Sequence, residues 1–81
     1  MIYSAQIRAA RGLLDWNRDQ LAQAAGIGLS TVQRMEKGEG LALGQAGNIW
    51  RLQAALEAAG IVFLPADASG GQGVRLKSSP E

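Results

Sequence analysis

The sequence contains no cysteine and no histidine. Without cysteine, these 81 residues can form neither a disulfide framework nor a thiolate metal site. Without histidine, they offer no imidazole as a base or a metal ligand. Most hydrolytic and metal-dependent chemistry is thereby excluded, and no other set of side chains suggests a catalytic constellation. We therefore expect no catalytic residues, no metal and no cofactor.

Long apolar runs are also missing. No run approaches the roughly 20 residues of a membrane-spanning helix, and the first residues lack the basic-then-apolar order of a signal peptide. We therefore expect a cytoplasmic protein that does not associate with membranes. The charges nearly balance, with a formal net charge of +1, so composition neither demands nor excludes a polyanionic partner.

The first two helices are predicted by apolar spacing and by one strong capping signal. Ile7, Ala10 and Leu14 recur at i, i+3 and i+7, which predicts a helix over about residues 4–14 with Ser4 or a neighbour as its cap. The sequence "NRDQ" places Asn17 three residues before a glutamine, the pattern of a capping box. A second helix is therefore expected to begin at residue 18 and to stop at residue 26, a glycine.

Two further helices follow. Gly28 is expected to cap a third helix, "LSTVQRMEK", which ends before Gly38. The glycine-rich segment 38–47 is predicted as a loop. A fourth helix, capped by Asn48 or a residue just before it, is expected to end at Gly60. Its apolar stripe consists of Ile49, Leu52, Leu56 and Ala59.

The C-terminal segment has a different pattern. The run "IVFLP" and the alternating "VRLK" predict two short strands, residues 61–64 and 74–77, that pair across a turn-rich connection. The final residues, 78–81, are expected to fray. Trp50 lies off the centre of the fourth helix's stripe and is interpreted either as the edge of the core or as a subunit contact.

The third helix is predicted to have two distinct faces. Val32 and Met35 fall on one side of a helical wheel, whereas Ser30, Arg34 and Lys37 fall opposite, with a glutamine at the flank. This arrangement alone fits a helical hairpin with a solvated polar face. It equally fits a helix that presents its polar face to a ligand.

The second and third helices share one spacing of small and apolar residues, carried by Leu21, Ala22, Gly26, Ile27, Val32 and Met35. This spacing resembles that of the phage repressor and Cro-like family of helix-turn-helix transcription regulators. The resemblance covers about residues 4–59, although Arg18 stands where the family commonly has glutamine and Gly28 where it has serine or threonine. Strand-like sequence replaces the family's fifth helix after Gly60.

The resemblance implies a mainly α, lambda-repressor-like domain of about four helices in residues 1–60. The strand-like pattern after it predicts a C-terminal β-hairpin and dimerisation segment in residues 61–81. The resemblance also implies roles for individual residues, and it pairs Arg11 with Glu36 as a structural ion pair between the first and third helices. Arg8 is either a solvated residue or a flanking phosphate contact. The expected DNA base contacts are Leu29, Ser30, Gln33 and Arg34, and the expected phosphate contacts are Asn17, Arg18 and Lys37.

The function that these features predict is sequence-specific binding of double-stranded DNA by a homodimeric regulator, most simply a repressor. The alternative is an antitoxin or adaptor with the same helix-turn-helix, in which the C-terminal segment binds a partner protein. A free apolar edge on an isolated monomer would favour the alternative, whereas a self-paired edge would favour the regulator.

Overall fold

The computed structural model describes residues 1–78, so most of the predicted C-terminal tail, residues 79–81, lies outside the described residues. Four helices precede a two-stranded antiparallel hairpin, which confirms the prediction of a mainly helical domain with a C-terminal hairpin. The elements are α1 (Ser4–Leu14), α2 (Arg18–Ala25), α3 (Leu29–Glu36), α4 (Ala46–Ala58), β1 (Ile61–Leu64) and β2 (Gly73–Leu76).

Helix α1 has the predicted bounds, but its cap is Tyr3, the neighbour of Ser4. The backbone N–H of Tyr3 donates to the side-chain oxygen of Gln6 at 2.8 Å. Ser4 is the first helical residue, and its buried hydroxyl contacts another helix.

The start of α2 and the turn between α2 and α3 follow the sequence signals closely. The N–H of Gln20 donates to Asn17 Oδ1 at 2.8 Å, and the N–H of Asn17 donates to Gln20 Oε1 at the same distance. Gly26 ends α2 with φ +69°, a left-handed conformation that favours glycine. Gly28 precedes α3 in an extended conformation. Helix α3 ends one residue earlier than predicted, because the backbone of Lys37 is already extended.

The loop before α4 is shorter than predicted. Helix α4 begins at Ala46 after the cap position of Gln45, so two residues that were expected in the loop form the first helical turn. The loop is tied to the start of the chain, because the N–H of Ala42 donates to the carbonyl oxygen of Ile2 at 2.9 Å. Trp50 projects from α4 with 70% of its area exposed, which shows that its interpretation as the edge of the core was wrong.

Every helix and β1 contribute to one hydrophobic core. Helix α2 packs against α3 and α4, α1 packs against α3 and β2, and β1 packs against α4. The largest apolar side chains with almost no exposed area are Ile7, Leu21, Val32, Met35, Leu52 and Leu56.

The hairpin closes this core on the side of α1 and α4. Ile61 pairs with Leu76 and Val62 with Arg75. Ile61 is 2% exposed, and Leu76 packs against the core with the other side chains on that face. Because successive side chains alternate between the faces of a strand, Val62 and Arg75 lie on the outer face. The second strand begins and ends one residue earlier than predicted.

If the hairpin is part of the core, Ile61→Ala should lower the free energy of unfolding by about 2 to 5 kcal/mol, because it leaves a cavity between β1 and α4. Val62→Ala, on the outer face of the same strand, should cost about 1 kcal/mol or less. Urea denaturation followed by circular dichroism measures both. Equally small losses would contradict a core role for the hairpin.

Candidate nucleic-acid interface

Helix α3 separates buried from exposed side chains cleanly. Val32 and Met35 are fully buried and fix one side of the helix to the core. Helix α3 is eight residues long, about 12 Å. The four residues that were predicted to contact bases are all exposed: Leu29, Ser30, Gln33 and Arg34.

A carboxylate beneath the exposed face of α3 joins three helices. Glu36 is only 2% exposed. Arg11 of α1 donates to its two oxygens from Nε at 2.6 Å and from Nη2 at 2.9 Å. Arg18 of α2 donates from Nε to Oε1 at 3.1 Å. From its sequence position Arg18 was predicted to contact phosphate alone, and its contact with Glu36 was missed.

The two arginines determine the charge state of Glu36. Burial raises the pKa of its carboxyl, but the hydrogen bonds from Arg11 and then Arg18, with their positive charges, lower that pKa further than burial raises it. The net result is a pKa below the ordinary value for glutamate. Glu36 is therefore ionised at neutral pH and leaves no unpaired charge in the interior.

Side chains of α1 also bind the C-terminal carbonyl groups of α3. The hydroxyl of Ser4 donates to the carbonyl oxygen of Met35 at 2.6 Å. Arg8 donates through Nη1 to the carbonyl oxygens of Glu36 and of Gly38, the latter at 3.0 Å. Both interpretations of Arg8 that the sequence suggested omit this contact, in which Arg8 satisfies carbonyl groups left free at the end of a helix.

A sequence signal for this contact existed beside the apolar stripe of α1. Ser4, Arg8 and Arg11 stand at i, i+4 and i+7, which places them along one side of a helix. Polar residues at that spacing are common on solvated faces, so the spacing could not identify a partner. Only the packing of α1 on α3 shows which groups they meet.

The predicted phosphate-contacting residues fall at two places. Asn17 and Arg18 lie at the start of α2 and border an open groove that Leu29 and Gln33 of α3 also line. The Oδ1 atom of Asn17 already accepts the capping hydrogen bond. Arg18 keeps 49% of its side chain exposed despite its bond to Glu36. Lys37 is exposed just beyond the other end of α3.

A family model described as helix-turn-helix matches residues 7–44. This match supports, over residues 7–44, the predicted resemblance to the phage repressor and Cro-like helix-turn-helix family. The matched segment includes α2, α3, most of α1 and the loop up to Gly44. No curated protein and no solved structure matches the chain. Members of this family are DNA-binding transcription regulators and typically not enzymes.

The described part of the chain offers no membrane-spanning helix and no metal site beside this interface. Within residues 1–78, no helix is long and apolar enough to cross a membrane. Acidic side chains do not gather there into a group of three that could hold a metal ion. The exposed face of α3 and the adjoining start of α2 therefore remain the candidate site.

The charge on Glu36 should make stability depend on pH. The pKa of Glu36 is lower in the folded chain than in the unfolded chain. The ionised carboxylate therefore stabilises the fold fully above its unfolded pKa, and this stabilisation is lost as the pH falls through its folded pKa. Near neutral pH, Glu36→Gln should lower the free energy of unfolding by more than roughly 1 kcal/mol. The difference from wild type should shrink below about pH 4.

Urea denaturation at a series of pH values measures this difference. Glu57→Gln, which changes an exposed carboxylate on α4, is the matched control and should have little effect at any pH. A loss in Glu36→Gln that is the same at every pH would contradict an origin in the charge.

Proposed function

We propose that this protein is a sequence-specific regulator that binds double-stranded DNA through α3 and represses transcription by occupying a promoter. The observation that carries the proposal is the exposed polar face of α3, which α1 and α2 hold in place from beneath through Glu36. A rigidly held helix suits base recognition, since small displacements would misalign hydrogen bonds with base edges.

The chemistry of the exposed face matches the edges of base pairs in the major groove. That groove is about 12 Å wide and admits one α-helix. Gln33 can make two hydrogen bonds to adenine, and Arg34 can make two to guanine. Ser30 can bond to several bases, and Leu29 can pack against a thymine methyl group. Asn17, Arg18 and Lys37 are assigned to phosphates, which set the position of the helix on the duplex.

Gln33→Ala should weaken binding to the preferred site by roughly 1 to 3 kcal/mol and relax the preference at one base pair. Arg18→Ala should weaken binding to all sequences about equally. It should also reduce the slope of the logarithm of the binding constant against the logarithm of the salt concentration by about one. Selection of bound sites from random DNA, followed by titrations at several salt concentrations, measures both effects. Unchanged selected sites with a stably folded Gln33→Ala variant would contradict its base-reading role.

The hairpin offers an edge for a homodimer. Its two strands pair only with each other within the described chain, so each has an unpaired outer edge. Strand β1 carries no charged side chain, whereas β2 carries Arg75 and is followed by Lys77. Like charges close together across two paired strands are destabilising. We therefore assign the dimer contact to β1, which would meet β1 of a second copy around a two-fold axis.

Such a dimer gives a four-stranded sheet and carries two copies of α3. The exposed Trp50 of α4 is a candidate to extend the contact between the copies. Two recognition helices related by a two-fold axis fit half-sites about 34 Å apart, or a multiple of that distance. The expected operator is therefore an inverted repeat whose half-sites are about 10 base pairs apart, or a near multiple.

Val62→Glu tests the assignment to β1. Within one chain the new carboxylate would face Arg75, a favourable pair across the hairpin. Across the proposed two-fold axis, two carboxylates would lie close together and repel each other. We expect a folded protein whose dimer dissociates at least tenfold more readily in analytical ultracentrifugation, an increase that corresponds to about 1.4 kcal/mol.

Val62→Thr is the control, because it keeps a β-branched side chain without a charge and should remain dimeric. A Val62→Glu dimer as stable as the wild type would show that β1 does not join the subunits. A wild-type protein that is monomeric at micromolar concentration would instead favour the antitoxin or adaptor function. In that function, the uncharged β1 edge would pair with a segment of a partner protein.

A further inference from the structure

We propose that Glu36 positions Arg18 for DNA binding, so that the two terminal nitrogens of Arg18 form a ready-made fork for one phosphodiester group. The inference deepens the proposed function and rests on it, because it concerns how the same site binds its DNA. It assigns Glu36 a role beyond its ion pair with Arg11, because the same carboxylate also accepts a hydrogen bond from Arg18.

The hydrogen bonds of the two arginines differ. Arg11 uses Nε and Nη2 for Glu36, and its Nη1 donates to the carbonyl oxygen of Trp16 at 3.0 Å. Its side chain is 21% exposed. Arg18 donates to Glu36 through Nε alone, and its Nη1 and Nη2 have no hydrogen-bond partner among residues 1–78. Arg18 is therefore the arginine whose terminal nitrogens are free to bind a ligand.

The planar guanidinium group makes this arrangement effective. A bond at Nε fixes one side of the plane against the protein, while the two terminal nitrogens remain able to bind two oxygens of one phosphate. The carboxylate also restricts the torsions of a long side chain before DNA arrives, which reduces the entropy lost on binding. Lysine cannot reproduce this geometry, because its ammonium group is a single point of charge.

The charges around Arg18 nearly balance. Arg11, Arg18 and Glu36 together carry a net charge of +1, and the carboxylate of Asp19 lines the groove that Arg18 borders. The case for phosphate binding therefore rests on the two free terminal nitrogens of Arg18 and not on the net charge of the groove. Residues of α3 line the same groove. A phosphate held by Arg18 would therefore set the distance between the DNA backbone and the start of α3, where base reading is expected.

The first test replaces Arg18 while keeping its charge. Arg18→Lys should bind a duplex selected by the wild-type protein about five- to tenfold more weakly, because the fork is lost. The salt dependence should stay close to that of the wild type, because the number of cations near phosphates is unchanged. Arg51→Lys, an exposed arginine on α4 without a hydrogen bond to the described chain, is the matched control and should bind like the wild type.

The second test asks whether Glu36 acts through Arg18. Glu36→Gln is made in the wild-type protein and in the Arg18→Lys variant, and binding is measured where circular dichroism shows each protein folded. Loss of a negative charge favours DNA binding in both proteins, but only the protein with Arg18 also loses the anchor. The factor by which Glu36→Gln changes the DNA affinity should therefore be at least threefold less favourable when residue 18 is arginine than when it is lysine.

The outcomes separate this inference from the proposed function. A wild-type protein that selects no sequence from random DNA would overturn the proposed function itself. Sequence-selective binding by the wild type, with Arg18→Lys as tight as Arg51→Lys, would overturn the fork and leave the function standing. Equal effects of Glu36→Gln in the two proteins would overturn the positioning role. If Glu36→Gln does not fold, Glu36→Asp, which keeps the charge but shortens the side chain, replaces it in both proteins, and equal effects on binding would again overturn the positioning role.

Discussion

The buried carboxylate of Glu36 is the constraint on which the arrangement of the first three helices depends. A carboxylate at 2% exposure is stable only if it is paired, and its partners come from α1 and α2. Side chains of α1 also bind the last carbonyl groups of α3. Rotation of α3 about its axis would break these contacts together. The hydrogen bonds that satisfy the buried carboxylate and the last carbonyl groups therefore also fix which face of α3 is exposed.

The hairpin contacts the helices through α1 and α4. The side-chain amide of Gln6 on α1 donates to the carbonyl oxygen of Gly73 at 2.9 Å. Helix α1 therefore contacts the hairpin through Gln6 and α3 through Ser4, Arg8 and Arg11. Helix α1 thus lies between the hairpin, where the dimer contact is proposed, and α3, where the DNA contact is proposed.

The small net charge makes the placement of individual charges important. With a formal net charge of +1, the chain as a whole has little attraction for a polyanion. Arg8 and Arg11 are engaged with groups of the protein, whereas Arg34 and Lys37 are exposed and Arg18 is half exposed at the edge of α3. Affinity for DNA would then depend on a few positioned contacts, a regime in which geometry contributes more to selectivity than overall electrostatic attraction does.

The sequence by itself determined the local elements. The capping box at Asn17, the left-handed Gly26 and the apolar stripe of α1 predicted helix boundaries to within a residue, because capping and periodicity depend on neighbours in the chain. The start of α4 was predicted less well, since Gly47, a residue type that usually weakens helices, is accommodated in its first turn. Tertiary structure alone decided that Arg8 binds the end of α3 and that Arg18 shares Glu36 with Arg11. Those contacts join residues between 18 and 30 positions apart, and a long side chain at the edge of a helix can reach solvent, DNA or a neighbouring helix. Only the packing of the helices fixes which of these groups it meets.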